Sequence, residues 1–393
     1  MKRSALSPYN SEALAKAGWR RGIGIRVYDT TLRDGEQMPG VSFDIKKKVR
    51  IASALAEAGV KEIEAGFPAV SARERQCVKA VAALGTGSRT LALCRMQRDD
   101  VDACVDSDVG LLLMFVASSD LHLKHKYRLS KADVLRRSVE AMEYAKSRGA
   151  KFSFSTEDST RSDIDYLFKL YGRAVGLGAE RIGFTDTAGC ATPEGVAHLA
   201  GKLSSRFEVP LSAHLHDDLG LALANSLSAM RAGARCFATT VNGIGERAGN
   251  LALEEFAVAS ELALGARHGI DLSRMTGLSK LISSLSGVKV PLNKPIVGGN
   301  AFAHESGIHV AAILREPFTY EAIRPELVGA ERRLTLGKHT GHGHVGKLLE
   351  SKGVDLTPRM LDNVVDGVKR LGELRGRVSD EEFWKIVERA RHG

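Results

Sequence analysis

Residues 151–189 read KFSFSTEDSTRSDIDYLFKLYGRAVGLGAERIGFTDTAG. Lys151–Asp158 and Arg181–Gly189 are short runs with strand composition. Between them Ile164–Leu177 places apolar residues at helical spacing and stops at Gly178. A strand, a helix and a second strand in this order join parallel strands through a crossover. Outward from this unit the pattern repeats. Upstream strands are predicted at Ile25–Leu32, Glu62–Pro68, Thr90–Met96 and Val109–Ser118, and downstream strands at Pro210–Asp217 and Ala234–Ile244. Helices are predicted at Ile45–Ala58, Lys131–Ser147, Pro193–Phe207 and Leu221–Ala232, with Ser130 and Thr192-Pro193 as caps and Gly59, Gly149 and Gly233 as stops. Eight strands alternating with helices over residues 24–270 make an α/β chain of the (β/α)8 TIM-barrel class. No GxGxxG follows a strand and no GxxxxGK[ST] is present, which argues against a doubly wound nucleotide-binding sheet.

Residues 271–300 read as a linker, helical over Leu272–Leu285 and then proline-punctuated and extended over Val288–Val297. Residues 301–393 read as a mostly helical C-terminal subdomain, with helices expected at Ala303–Leu314, Thr319–Ile323, His342–Lys352, Pro358–Leu371 and Asp380–His392.

Composition narrows the function classes. The chain has 393 residues, 44% apolar and 26% charged, as in a soluble globular protein. No apolar run approaches the ~18 residues of a membrane span, and the basic opening MKRSALSPYNSEALAKAGWRRG lacks the apolar region of a secretory signal. Five scattered cysteines without a CxxC pair suit a reducing, cytoplasmic setting. The net charge of +9 is spread over short runs such as Lys46-Lys47-Lys48, not gathered into one stripe. It suits an anionic small molecule or a phosphorylated carrier better than nucleic acid.

In a barrel of this kind chemistry sits at the C-terminal strand ends, and polar residues accumulate there. They include Arg33, Asp34 and Gln37 after strand one, Glu64 on strand two, and Arg95 at the end of strand three. His122 follows strand four; Ser155, Glu157 and Asp158 lie on strand five, Thr187 after strand six, and Asn242–Asn250 after strand eight. His214 and His216 are the sharpest local signal. Residues i and i+2 of a strand share a face, so both imidazoles point the same way, and with a carboxylate from another strand they suit a divalent cation. Mg2+, Mn2+ and Zn2+ all fit two histidines, a carboxylate and an amide. Arg33 suits either an ion pair or a fork for a substrate carboxylate. Glu157-Asp158 suits a helix N-terminus equally well. Gly243, Gly245 and Gly249 read as a tight turn, and His339, His342 and His344 as solvated loop histidines.

Four motifs carry a resemblance. Tyr28-Asp29-Thr30-Thr31-Leu32-Arg33-Asp34-Gly35-Glu36-Gln37, His214-Leu215-His216-Asp217-Asp218, Asn242-Gly243-Ile244-Gly245-Glu246-Arg247-Ala248-Gly249-Asn250 and His304-Glu305-Ser306-Gly307-Ile308-His309 occur in this order. Together they resemble the homocitrate synthase / 2-isopropylmalate synthase family of Claisen-condensing acyltransferases, within the DRE-TIM metallolyases. The resemblance covers residues 24–345, and His304–His309 distinguishes it from the lyases and carboxylases that share the first motif. It implies that Asp34, His214, His216 and Asn250 hold the divalent metal, and that Arg33 holds a 2-oxo acid and stabilises its alkoxide. It further implies that Thr187 meets the substrate carboxylate while Gln37, Glu64, Arg95, His122, Ser155 and Glu157 line the pocket. Glu157 is also a catalytic candidate. His309 would be the base toward acetyl-CoA, assisted by Tyr320 and delivered by the neighbouring subunit of a homodimer.

Within that family Leu93-Cys94-Arg95 and Thr239–Gly243 look like nitrogen-fixation-type homocitrate synthases, and the Ser7-Pro8-Tyr9-Asn10 opening and Pro291–Pro295 like archaeal-type members. Lysine-pathway fungal enzymes have Glu where Asp34 stands and His where Arg95 stands. About 50 residues follow Lys338–Gly341, fewer than the leucine-regulatory domain of 2-isopropylmalate synthases. The expected reaction is therefore condensation of acetyl-CoA with 2-oxoglutarate. A 2-isopropylmalate, citramalate or phosphonomethylmalate synthase is the alternative within the family, and a metal-dependent lyase or aldolase the alternative outside it.

Overall fold

The structure, a computed structural model, describes residues 4–392. Eight parallel strands close into one barrel: β1 Arg26–Asp29, β2 Glu62–Glu64, β3 Arg89–Arg95, β4 Leu111–Ala117, β5 Phe152–Glu157, β6 Ile182–Asp186, β7 Leu211–Leu215 and β8 Cys236–Thr239, with β8 pairing β1. All eight expected strands form, most of them shorter than the runs that signal them. The local reasons for the helices are visible at their caps. Asp44, Ser130, Asp163 and Thr192 each accept a hydrogen bond from a backbone N–H of the first turn, and the helix Ile164–Leu177 ends at Gly178 with φ +100°.

Alternation along the strands decides what fills the barrel. Tyr28, Leu91, Leu111, Leu113 and Ala238 form an apolar cluster inside it, with Leu93 packed against them. On β5, β6 and β7 the same face carries small residues: Ser153, Ser155, Gly183 and Ser212. Registers place Gly183 opposite both Ser155 and Ser212, and a Cβ on Gly183 would stand 2.3 Å from Ser155 Oγ. Bulky branched residues ordinarily fill these layers. Here the small side chains leave a cavity beneath the strand ends.

The chain divides into two compact units, Tyr9–Val290 and Pro291–Gly393 together with the first eight residues. The helix Met275–Ser286, in the segment read as a linker, belongs to the barrel unit: Ser279 exchanges hydrogen bonds with the Asn242 side chain, its carbonyl accepting from Nδ2 and its hydroxyl donating to Oδ1. In the second unit Ser4 bridges Ile323, and Ala5 N–H donates to Ala322 O. Its core is Leu336, Val345, Leu349, Val364, Val365, Val368, Val378, Phe383 and Val387, drawn from the helices His342–Glu350, Pro358–Arg375 and Asp380–His392 and the segments beside them. Two expectations fail locally. Thr319–Ile323 is no helix: Pro317–Thr319 makes one 3-10 turn, and pairing with the Ser4–Ala5 segment then holds the chain extended. The helix expected from Ala303 starts at Gly307, because Ala303–His304 pairs in parallel with Arg333–Leu334. Among the described residues no helix is long and apolar enough to cross a membrane.

Candidate active site

The turn after β1 folds back on itself: Asp34 N–H reaches Thr30 O at 2.8 Å, which aims the buried Asp34 carboxylate across the barrel mouth. There it meets His214 on β7 and His216 just past its end. His214 Nε2 lies 3.1 Å from Asp34 Oδ2, His216 Nε2 4.0 Å from it, and the two Nε2 atoms are 3.2 Å apart. These three are the group among the described residues whose ligand atoms converge closely enough to hold a cation. Burial opposes ionisation of Asp34, yet Arg33 and the imidazoles hold its carboxyl well below the usual range. Burial pushes His216 down to about 4, helped by His214, so it stays a neutral ligand at physiological pH. Asn250, bridged to His216, is buried beside them. Its Nδ2 donates to Ile244 O, while its Oδ1, Asp34 Oδ1 and His216 Nδ1 are buried without hydrogen-bond partners. A carboxylate, two imidazoles and an amide oxygen fit a divalent cation, and the buried oxygens Asp34 Oδ1 and Asn250 Oδ1, without hydrogen-bond partners, suit a group that accepts their lone pairs. Gly245 permits this approach: a Cβ there would stand 2.1 Å from Asn250 Nδ2 and 3.3 Å from Asp34 Oδ1.

The cavity beside the triad has a volume of ≈ 400 Å³. Arg33 grips the fully buried Glu64 with two bonds, Nε to Oε1 at 2.7 Å and Nη2 to Oε2 at 3.1 Å. Its Nη1 turns to Asp34 Oδ2 at 3.0 Å and Gln37 Oε1 at 3.4 Å. The fork thus serves an ion pair, and Nη1 is the edge next to the triad. Glu157 binds Lys126 Nζ at 2.7 and 2.8 Å. Thr187 Oγ1 accepts from Asp158 N–H at 2.9 Å, which fixes the hydroxyl at the rim. Ser155, Thr187, Gln37, Glu64 and Glu157 all line the cavity.

The structure does not bring Arg95 and His122 to that wall. Arg95 is held by Asp100 through Nε at 2.8 Å and Nη2 at 2.9 Å, stacks over the Phe67 ring, and lines a smaller cavity with Phe115 and Tyr127. His122 lies beside Glu157 and Asp158, at 3.9 and 3.7 Å. His309 and Tyr320, in the second unit, stack on each other with ring centroids 3.9 Å apart, both exposed. Of the three histidines read as solvated, His339 and His342 are exposed, His342 bonding Asp362, and only His344 is buried. Sequence reasoning missed Tyr28, Lys126, Ser153, Arg181, Ser212 and Arg247, which also line the cavity. Alternation with Ser155 and His214 could have found Ser153 and Ser212; nothing local marks Arg181.

Comparison with known proteins matches residues 24–282 to the HMGL-like family and residues 296–376 to the homocitrate synthase post-HMGL domain-like family. The chain is 44% identical to the homocitrate synthase AksA of Methanothermobacter thermautotrophicus, covering 98% of each chain. It is 47% identical to a chain of Ignicoccus hospitalis named "Probable 2-isopropylmalate synthase", over 93% of this chain and 92% of that one. Among solved structures, hydroxymethylglutaryl-CoA lyase from Pseudomonas aeruginosa shares the fold, with a TM-score of 0.61 at 21% identity over 75% of this chain and 99% of that one.

Proposed function

The chain belongs to the HMGL-like family and carries the post-HMGL domain of the homocitrate synthases, and from that premise we propose that it is an acyltransferase condensing acetyl-CoA with a 2-oxo acid, 2-oxoglutarate first. The observation that carries the reading is the triad of buried Asp34 and His216 with part-buried His214, at the mouth of a cavity that Arg33 and Thr187 also line.

A divalent cation held by Asp34, His214, His216 and Asn250 would supply Lewis-acid polarisation of the 2-oxo group. Arg33, fixed by Glu64, holds Nη1 beside Asp34, and by exchanging the long bond to Gln37 Oε1 this nitrogen donates to the oxygen that gains charge as the carbonyl carbon is attacked. Thr187, whose oxygen accepts from Asp158 N–H, turns its hydroxyl hydrogen from Thr185 Oγ1 to the substrate carboxylate. Glu157, neutralised by Lys126, lines the wall on which the acetyl group would lie. A base takes one proton from the acetyl methyl, and the carbanion attacks C2 of the 2-oxo acid. Water then cleaves the thioester and releases CoA. His309 is the proposed base with Tyr320 stacked on it, supplied by the C-terminal unit of the second subunit of a homodimer.

Free CoA release with Mg2+ or Mn2+ and a panel of 2-oxo acids tests the proposal. Turnover with 2-oxoglutarate is expected, and silence with every 2-oxo acid overturns it. The apolar wall of Leu93, Leu113 and Phe115 favours a second reading, a branched apolar 2-oxo acid as in 2-isopropylmalate synthesis; preference for 2-oxoisovalerate would establish it. Mixing inactive His309→Ala and Asp34→Ala subunits should restore roughly a quarter of wild-type activity if the base is supplied across a two-fold dimer. No recovery would place the base within one subunit.

A further inference from the structure

The acyltransferase reading leaves the lower half of the cavity unused. Strand register sets its levels: Thr185 pairs with His214 near the mouth, Gly183 with Ser212 and Ser155 below, and Arg181, one residue before β6, lies level with Ser153 at the floor. Arg181 lines the same cavity as the triad. It is 2% exposed, and its Nη2 has no hydrogen-bond partner. Nη1 pairs with Glu62, and the guanidinium lies over the Tyr28 ring, 4.7 Å from its centroid. Glu62 is not neutralised by Arg181 alone, because Arg26 approaches it at 3.4 Å from the solvent side. Two cations thus share one carboxylate, and Tyr28, pushed up to about 12 by burial, stays neutral. A buried guanidinium with a free edge is costly unless an acceptor meets it.

We infer that Arg181 receives the far carboxylate of the 2-oxo acid, making this an enzyme for 2-oxo acids that end in a second carboxylate. The inference rests on the acyltransferase reading and sharpens it. The reacting end lies at the triad. The methylenes run down the barrel axis past Leu93, Leu113 and Phe115, where carbon–hydrogen surface is buried favourably. The small residues Ser153, Ser155, Gly183 and Ser212 keep that shaft open, and the serine hydroxyls solvate the carboxylate alongside Arg181. The apolar wall and the cationic floor then serve one substrate.

The test compares kcat/KM for unbranched five-carbon 2-oxo acids ending in carboxylate or in methyl, with wild type, Arg181→Met and the double variant Glu62→Gln/Arg181→Met. The double variant removes the buried pair together, so it folds without a lone carboxylate if the single one does not. Wild type should favour the carboxylate terminus at least tenfold. Either variant should lower that ratio about 100-fold, the scale of a lost buried charge pair. Ser153→Leu, which alters no charge and plugs the shaft, should lower turnover of 2-oxoglutarate relative to pyruvate. An equal rate on both termini in wild type, or an equal loss on both in the variants, overturns the assignment of Arg181 and leaves the acyltransferase reading standing. No CoA release with any 2-oxo acid overturns that reading itself.

Discussion

Gly245→Ala probes the metal centre at its narrowest point. The new Cβ would stand 2.1 Å from Asn250 Nδ2, and a carbon–nitrogen contact needs about 3.4 Å, so the amide must retreat by about 1.3 Å. That movement breaks the hydrogen bond from Nδ2 to Ile244 O, worth about 1 kcal/mol. It also carries the unpartnered Oδ1 away from Asp34 and His216. Asp34 Oδ1, at 3.3 Å from the same Cβ, must give by a few tenths of an ångström. Displacing a ligand or its support weakens metal binding about 10- to 100-fold. Alanine at the Gly245 φ of +157° adds about 1–3 kcal/mol of backbone strain, so a total loss of about 2–4 kcal/mol lowers the melting midpoint by about 4–16 °C in a unit of this size. The expected signature is a Kd for Mn2+ raised at least tenfold by calorimetry at a temperature where circular dichroism shows the variant still folded. A Kd for Mn2+ within twofold of wild type alongside the same thermal shift would refute the reasoning, because Asn250 would then sit outside the centre.

Three further outcomes follow from the same contacts. His214→Ala should lose bound metal and CoA release together while far-UV circular dichroism is unchanged; retained metal-dependent turnover would contradict the triad. Lys48 is fully buried, paired with Glu36 at 2.8 Å and Glu74 at 2.6 Å, and donates to Leu32 O and Ala65 O. Lys48→Met leaves two carboxylates and two carbonyls without it, so stability should fall by about 3–5 kcal/mol in urea melts, and a loss under 1 kcal/mol would refute this. His268 Nδ1 accepts from Ile270 N–H and Nε2 donates to Ala257 O, and burial pushes its pKa below the ordinary value. Its unfolded form therefore takes up a proton first as pH falls, so the stability present above about pH 6.5 drains away below it. Urea midpoints at pH 7.5 and 5.5 should drop further in wild type than in His268→Gln, and parallel drops would exclude His268 as the acid-sensitive group.

How far the sequence reaches shows at particular residues. The strands and helices of the barrel were legible because their signals are local: caps at Ser130 and Thr192, a stop at Gly178, and alternation along each strand. The same alternation placed His214 and His216 on one face, and the position of Asp34 just past a strand end brought it to the same rim. Thr319–Ile323 misled because its pairing partner, Ser4–Ala5, lies at the other end of the chain. Arg95 shows a related effect: it ends a strand, but Asp100, five residues on, binds the guanidinium through Nε and Nη2.

The sequence by itself determined the barrel, the faces of its strands and the set of groups at their C-terminal ends, since each follows from neighbours within a few residues. Only the tertiary structure decided which of those groups meet. Arg33 finds Glu64 across 31 positions and Arg181 finds Glu62 across 119. The shaft that leads to Arg181 exists because Ser153, Ser155, Gly183 and Ser212 fall at matching heights once the barrel closes. Register and closure are properties of the whole sheet, and no window of the chain contains them.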